Sequence, residues 1–170
     1  MQREDRISGV DHPQVIAIPP LVYAGAFGLG LILEGMLRTD VPWRMLRIGL
    51  GTALLLGGLG FMGAALRAFR RAGTHVEVYL PATALVKTGP YGVTRNPIYL
   101  GMTMAYLGSA CLINSVWVAM CAIPAVAVIH YGVVLREESY LGGKFGDDYH
   151  RYRTAVPRWL SVAGGRSAAW

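Results

Sequence analysis

The sequence predicts an all-α polytopic membrane protein with four transmembrane helices, the last two a helical hairpin, followed by a cytoplasmic C-terminal helix. Three observations carry that expectation. First, 54% of the 170 residues are apolar and only 15% are charged, less charge than a soluble domain of this size keeps on its surface. Second, the mean hydropathy of +0.40 is concentrated in long apolar windows, each near the length that crosses a hydrocarbon layer. Third, the basic residues cluster: five lie between Arg67 and Arg95, six between Arg136 and Arg166, and none between those groups. On such a chain a net charge of +6 marks the cytoplasmic face. No basic stripe interleaved with aromatic residues points to nucleic acid. One domain over residues 1–170 is expected.

The N-terminus, MQREDRISGVDH, mixes both charges and lacks the basic start and short apolar core of a signal peptide, so the first apolar run is expected to stay in the mature protein. Residues 15–37 form the first span, opening at Pro19-Pro20. Glu34 lies one turn before Arg38, the spacing of an interfacial ion pair; an acid at the end of a span also fits a functional role. Residues 48–66 form the second span. Its Gly51, Gly57, Gly58, Gly60 and Gly63 let helix backbones approach closely, which predicts an interior packing helix.

A polar connection follows, with Arg67, Arg70, Arg71, His75 and Glu77; His75 reads as a solvated loop residue. Residues 98–112 and 116–135 form the hairpin, broken only by Ile113-Asn114-Ser115. Its first arm is short, which predicts tilt or burial against protein, and Pro124 is expected to kink the second. His130 reads equally as a functional group and as a structural hydrogen-bonding partner. Cys111 and Cys121 sit in apolar runs and read as packing residues, too few for a disulfide framework or a metal cluster. From Arg136 the chain turns polar through residue 160, and the Gly- and Ser-containing tail 161–170 reads as flexible. The hairpin supplies an even number of crossings between the two basic groups, so both belong on one face, with both termini cytoplasmic. Arg38, Arg44 and Arg47 fall, against that rule, in the loop placed outside.

Polar chemistry concentrates at two places that this topology brings to one face. The first is the loop over residues 83–101, containing LVKTGPYGVTRNPIYLG. Gly89-Pro90 breaks any helix there, and Pro97 suits the first turn of a new one. The second is REESYL, starting at Arg136. Arg95 is a fixed cation with a planar fork of donors. Glu137 and Glu138 point about 100° apart on a helix, so they are not expected to share one site. One of them would accept from ribose hydroxyls or a ligand amine and the other would face solvent or an arginine; alternatively Arg136, Glu137 and Glu138 are a solvated helix end. The chain has no G-x-G-x-x-G after a strand, P-loop, H-E-x-x-H or C-x-x-C motif.

LVKTGPYGVTRNPIYLG, a hairpin, then REESYL and FGDDYHRYRTAVPRWL together resemble the isoprenylcysteine carboxyl methyltransferase and phospholipid methyltransferase family, in its bacterial form. The resemblance covers Arg67 to Leu160; the first two spans match only as apolar helices. It implies an S-adenosylmethionine-dependent integral membrane methyltransferase of the bacterial inner membrane with its site at the cytoplasmic face. By that resemblance Leu85, Val86, Gly89, Tyr91, Asn96, Pro97, Ile98, Tyr99 and Glu137 would bind S-adenosylmethionine. Arg95 and Glu138 would be catalytic, Arg95 holding an anionic acceptor or the cofactor carboxylate, and the C-terminal tyrosines would shape the pocket. No metal is implied. Asn96 stands where the isoprenylcysteine branch has histidine, and Val133 where the eukaryotic enzymes have an arginine that contacts substrate.

The implied partners are S-adenosylmethionine, membrane lipid and an amphiphilic or small methyl acceptor. The resemblance points first to carboxyl O-methylation, with phospholipid N-methylation or thiol S-methylation as the alternatives. Two readings of other classes stand beside them: an NADPH-dependent enzyme with sterol-reductase architecture, and a non-catalytic membrane protein whose two motifs only cap helix ends.

Overall fold

The computed structural model describes Pro13, residues 15–73 and residues 80–160. His75, Glu77, the N-terminal dodecapeptide and the tail 161–170 lie outside the described residues. The helices are α1 (Pro19–Met36), α2 (Arg44–Ala72), α3 (Pro97–Leu112), α4 (Val116–Ile129) and α5 (Leu135–Ala155), with one 3-10 turn at Gly89–Gly92 and no strand among the described residues. Three stretches are long and apolar enough to cross a membrane: α1, α2 and the continuous run Val116–Ala155. The protein is therefore an integral membrane protein. The expected fourth crossing corresponds to α3, a shorter apolar helix of 16 residues.

Proline position explains which helices start and which continue. Pro19 and Pro97 both fall in a first turn, where a missing donor costs nothing. Pro124 lies inside α4 without ending it; the helix runs on to Ile129. The irregularity comes later, as a π-helical turn at His130–Val134. There the Gly132 carbonyl accepts the Ile16 N–H at 3.2 Å, tying the N-terminal segment to the turn. The C-terminal helix is thus a continuation of the last span rather than a separate element. Its apolar part ends at Leu135.

Two antiparallel pairs make the bundle. Where α2 meets α3, Gly51, Gly58 and Ala65 repeat every seven residues and are the buried positions of α2. A Cβ on Gly58 would lie 2.6 Å from the Gly101 carbonyl oxygen, and one on Gly108 would lie 2.5 Å from the Leu55 nitrogen. Where α1 meets α4, a Cβ on Gly30 would lie 2.5 Å from the Val118 Cα. The expected interior position of α2 is not what the fold shows. Only this one seam is buried, while Leu50, Leu56 and Leu59 are exposed on a face suited to hydrocarbon. Glycines such as Gly60, with nothing within 4 Å, lie off the seam.

The end of the bundle at the hairpin tip is closed by polar caps. Ser115 accepts the Val118 N–H at 3.1 Å as the cap of α4. Glu34 does not pair with Arg38, because the backbone leaves the helix at Leu37 (φ −131°, ψ 67°) and ends the i,i+4 geometry. Its carboxylate instead accepts the Thr39 N–H at 2.7 Å and the Ser115 hydroxyl at 2.8 Å. Arg47 Nη1 donates to the Cys111 and Leu112 carbonyls at 2.7 and 2.8 Å. A cation is favourable there, against the last carbonyls of α3; Arg47, expected in the outer loop, lies in the first turn of α2.

Gly58→Ala should lower thermal stability by about 1–3 kcal/mol through overpacking of the α2–α3 seam. Gly60→Ala should leave it unchanged or raise it slightly. Thermal unfolding of both variants in the same detergent checks this.

Candidate functional site

At the other end of the bundle, the loop between α2 and α3 packs against the face of α5 that carries Glu138, Leu141, Phe145, Tyr149 and Tyr152. Glu138, Leu141 and Phe145 share a stripe by helical spacing before Gly146, and Tyr149 and Tyr152 a face after it. Gly146, at φ 50° and ψ −124°, breaks the helix between them and bends it around the loop. The loop is held by two buried hydroxyl contacts. Tyr152 donates to the Tyr91 carbonyl at 2.8 Å, and Thr94, fully buried, donates to the Arg158 carbonyl at 3.0 Å. Gly89 takes φ +64°, the left-handed conformation that favours glycine. It lines no cavity, so its contribution is the turn itself.

Two adjoining cavities result. The outer one, about 120 Å³, is lined by Pro13, Leu80, Pro97, Ile98, Tyr99 and Tyr140 among others. The inner one, about 80 Å³, is lined by Leu85, Val86, Glu138, Tyr149 and Tyr152 among others. Phe69, Tyr91, Arg95, Asn96, Glu137 and Leu141 belong to both walls. The fold therefore gathers ten of the eleven sequence-nominated residues around one cleft, leaving out only Gly89. Glu137 and Glu138 both line the inner cavity, closer together than expected. They turn to different partners, as the angle of about 100° between them requires, Glu137 to Tyr99 and Glu138 to arginines.

Glu137 faces α3. Its Oε1 accepts the Tyr99 hydroxyl at 2.7 Å, and its Oε2 has no protein partner among the described residues. What exposure Glu137 keeps is to the cavity, and protein withholds bulk water around it. That desolvation pushes its pKa up to about 7; the Glu138 charge adds to the rise and the Tyr99 hydrogen bond opposes it. Glu138 faces the arginines. Arg158 forms a bidentate pair with it, Nε to Oε1 and Nη2 to Oε2, both at 2.8 Å. Arg95 Nη1 reaches the same Oε1 at 2.9 Å and donates to the Tyr149 hydroxyl at 3.2 Å. Burial raises the Tyr149, Tyr91 and Tyr152 hydroxyls above their ordinary range, so all three stay neutral. Arg95 Nε is buried without a partner among the described residues.

Sequence reasoning assigned no role to Phe69, Thr94 or Arg158. Phe69 follows the second apolar run at helical spacing and its ring packs 5.2 Å from that of Tyr91. Arg158 had no readable signal, since 20 residues separate it from Glu138. His130 makes a structural contact, its Nδ1 accepting the Trp159 indole N–H at 3.3 Å, and the π turn breaks the face it would share with Glu137, seven residues on, in a regular helix.

A family model described as phospholipid methyltransferase matches residues 46–148. The chain belongs to the phospholipid methyltransferase family. The match takes in α2, so the likeness begins earlier than the motifs alone indicated, and it stops short of residues 156–160. An uncharacterized protein of Haemophilus influenzae is 38% identical over 63 residues, covering 37% of this chain and 79% of that protein. The cobalt-zinc-cadmium resistance protein CzcN of Cupriavidus metallidurans is 27% identical over 146 residues, covering 83% of this chain. The chain spans 63% of that relative's length. No solved structure matches the chain. Membership makes the cleft the candidate site of a membrane methyltransferase family.

The raised Glu137 pKa sets a sign for stability. A glutamate in the unfolded chain titrates near 4.5 and in the folded one near 7. Below pH 4.5 both states hold the proton; between 4.5 and 7 only the unfolded state loses it, so stability falls as pH rises, then levels off. The loss should be on the order of 3 kcal/mol. Glu137→Gln should remove this slope and be more stable than wild type at pH 8, as read by thermal unfolding across pH.

Proposed function

We propose that this protein is an S-adenosylmethionine-dependent methyltransferase of the bacterial inner membrane, acting at the cytoplasmic face on an amphiphilic or small acceptor. The observation that supports it best is the chemistry of the shared wall. Glu137 keeps one free acceptor oxygen, Arg95 keeps its buried Nε without a partner among the described residues, and aromatic and apolar side chains fill the space between. S-adenosylmethionine needs that set: acceptors for its hydroxyls and amine, a donor for its carboxylate, and flat apolar surface for its base. The residues present fit it.

In this reading Leu85, Val86, Tyr91 and Asn96 surround the adenosyl part, with Glu137 and Tyr99 holding hydroxyls or the amine. Arg95 pairs with the carboxylate. Glu138 serves by fixing Arg95 rather than by taking a proton, since both its oxygens already accept from guanidinium groups. Bound S-adenosylmethionine supplies an electrophilic methyl group. The protein's part is to align the acceptor with it and exclude water, which the buried tyrosines and the α5 stripe do. Pro97, Ile98, Leu80 and Pro13 give the outer cavity its apolar wall, suited to an acceptor arriving from the bilayer.

The family match supports a phospholipid amine as acceptor; a carboxylate follows from the resemblance to the isoprenylcysteine branch, from which Asn96 and Val133 depart. The product distinguishes them. The four-crossing topology, with both termini and the cleft cytoplasmic, is part of the same proposal. It rests on the basic residues at the cleft end, Arg67, Arg70, Arg71, Lys87 and Arg136 among them.

Calorimetry on purified protein should show binding of S-adenosylmethionine and none of NADPH. Glu137→Ala and Tyr99→Ala should each abolish it; retained binding in both variants would sink the assignment. Because the ionised Glu137 is the better acceptor, wild-type affinity should rise as pH passes upward through about 7.

A further inference from the structure

One short segment after α5 makes an unusual number of bonds into the cleft. The Pro157 carbonyl accepts the Arg95 N–H at 2.9 Å. The Arg158 carbonyl accepts Thr94 Oγ1 at 3.0 Å and Asn96 Nδ2 at 2.9 Å. The Arg158 guanidinium holds Glu138 with two bonds of 2.8 Å. Trp159 anchors the end of the segment on His130 of the π turn. Val156, extended at φ −118° and ψ 128°, is buried at 3% exposure and fixes where the segment begins.

The arginine is placed differently from the groups it holds. The Arg158 side chain is 35% exposed and that of Glu138 10%, while that of Arg95 is 9% exposed. Arg158 lines neither cavity; Glu138 lines the inner one and Arg95 lines both. So the effect of the Arg158 side chain on a ligand passes through Glu138, while its carbonyl, which any substitution keeps, holds Thr94 and Asn96. The terminal torsion of a glutamate is soft, and a single hydrogen bond leaves the carboxylate plane free to turn. A bidentate guanidinium sets that plane. Once the plane is set, the second lone pair of Oε1 has one direction, and Arg95 Nη1 occupies it. Arg95 is also held at its backbone by Pro157 and at Nη1 by Tyr149. Its remaining donors are then presented in a fixed orientation.

We propose that Arg158 is a positioning residue: by fixing the plane of Glu138 it fixes the guanidinium of Arg95 against the aminoacyl end of S-adenosylmethionine. The inference rests on the methyltransferase reading given above. It also assigns the segment 156–159, beyond the end of the family match, to the cofactor site. Lysine cannot replace Arg158 fully, because an ammonium reaches only one oxygen at a time.

The test is calorimetric titration of full-length protein in detergent with S-adenosylmethionine and, separately, with 5′-methylthioadenosine, which lacks the aminoacyl group. Arg158→Gln should weaken S-adenosylmethionine binding about 10-fold or more, within the range that misplacement of a positioning group produces. Arg158→Lys should recover part of the loss. Methylthioadenosine affinity should stay within about 2-fold of wild type in both variants, whereas general collapse of the loop would weaken both ligands. In a Glu138→Gln background, Arg158→Gln should add nothing further, as for residues acting in series. Unchanged S-adenosylmethionine binding in Arg158→Gln, equal weakening of both ligands, or additive losses in the double variant would overturn the proposal. Wild-type protein that binds neither ligand would instead overturn the methyltransferase reading on which it rests.

Discussion

The site depends on a carboxylate held between two guanidinium groups. Glu138 accepts from Arg158 and Arg95 in a nearly enclosed setting, and through it the α5 helix, the loop before α3 and the C-terminal segment become one body. Removing Glu138 would leave two guanidinium groups without compensation, which costs about 3–5 kcal/mol where a pair is buried, whereas removing either arginine leaves a one-to-one pair. Two arginines against one carboxylate also leave the cluster positive beside the cavities. That favours a ligand bringing a carboxylate, and it makes a second anionic protein group there unnecessary. Glu137, on the neighbouring position, is kept out of this network by its bond to Tyr99, so the two adjacent glutamates do different work within one cleft.

Much of this was legible in the chain. The apolar windows gave the helices, Gly89-Pro90 and Pro97 gave the loop and the restart of helix, and the absence of charge between Arg95 and Arg136 gave the hairpin. The two motifs then gave nearly all the residues of the cleft. What was not legible depended on where the backbone leaves ideal geometry. Glu34 looked like the partner of Arg38 because the first span was read through Leu37, one residue beyond the end of α1, where the chain has already turned. His130, seven residues before Glu137, would share its face on a regular helix, and a π turn carries no pattern of its own to warn otherwise. Gly146 hides a bend that a polar stripe cannot reveal. Arg158 was invisible for another reason: its partner is set by tertiary return of the chain, and nothing in local spacing announces that.

The bundle explains how such a polar cluster is placed at a membrane surface. Small residues at Gly30, Gly51, Gly58 and Gly108 let the helices pack backbone to backbone, which matters where lipid offers side chains the same apolar surroundings as protein does. That leaves the larger aliphatic residues of α1 and α2 to face outward. At one end the helices close on themselves, with Ser115, Glu34 and Arg47 satisfying their termini. At the other end they stay open, and the polar loop, the π turn and the bent α5 enclose the cleft. The asymmetry of the two ends follows from where the chain spends its polar side chains, and it coincides with the asymmetry of the basic residues.

The central claim is that residues 83–101 and 136–160 enclose a single S-adenosylmethionine site. Photolabelling with an azido-adenine analogue of that cofactor, followed by peptide mapping, addresses it most directly. The account predicts labelled peptides from both segments, each suppressed together by excess unlabelled S-adenosylmethionine. Label confined to one segment, or falling on the hairpin tip around Asn114, or indifferent to the competitor, would contradict it.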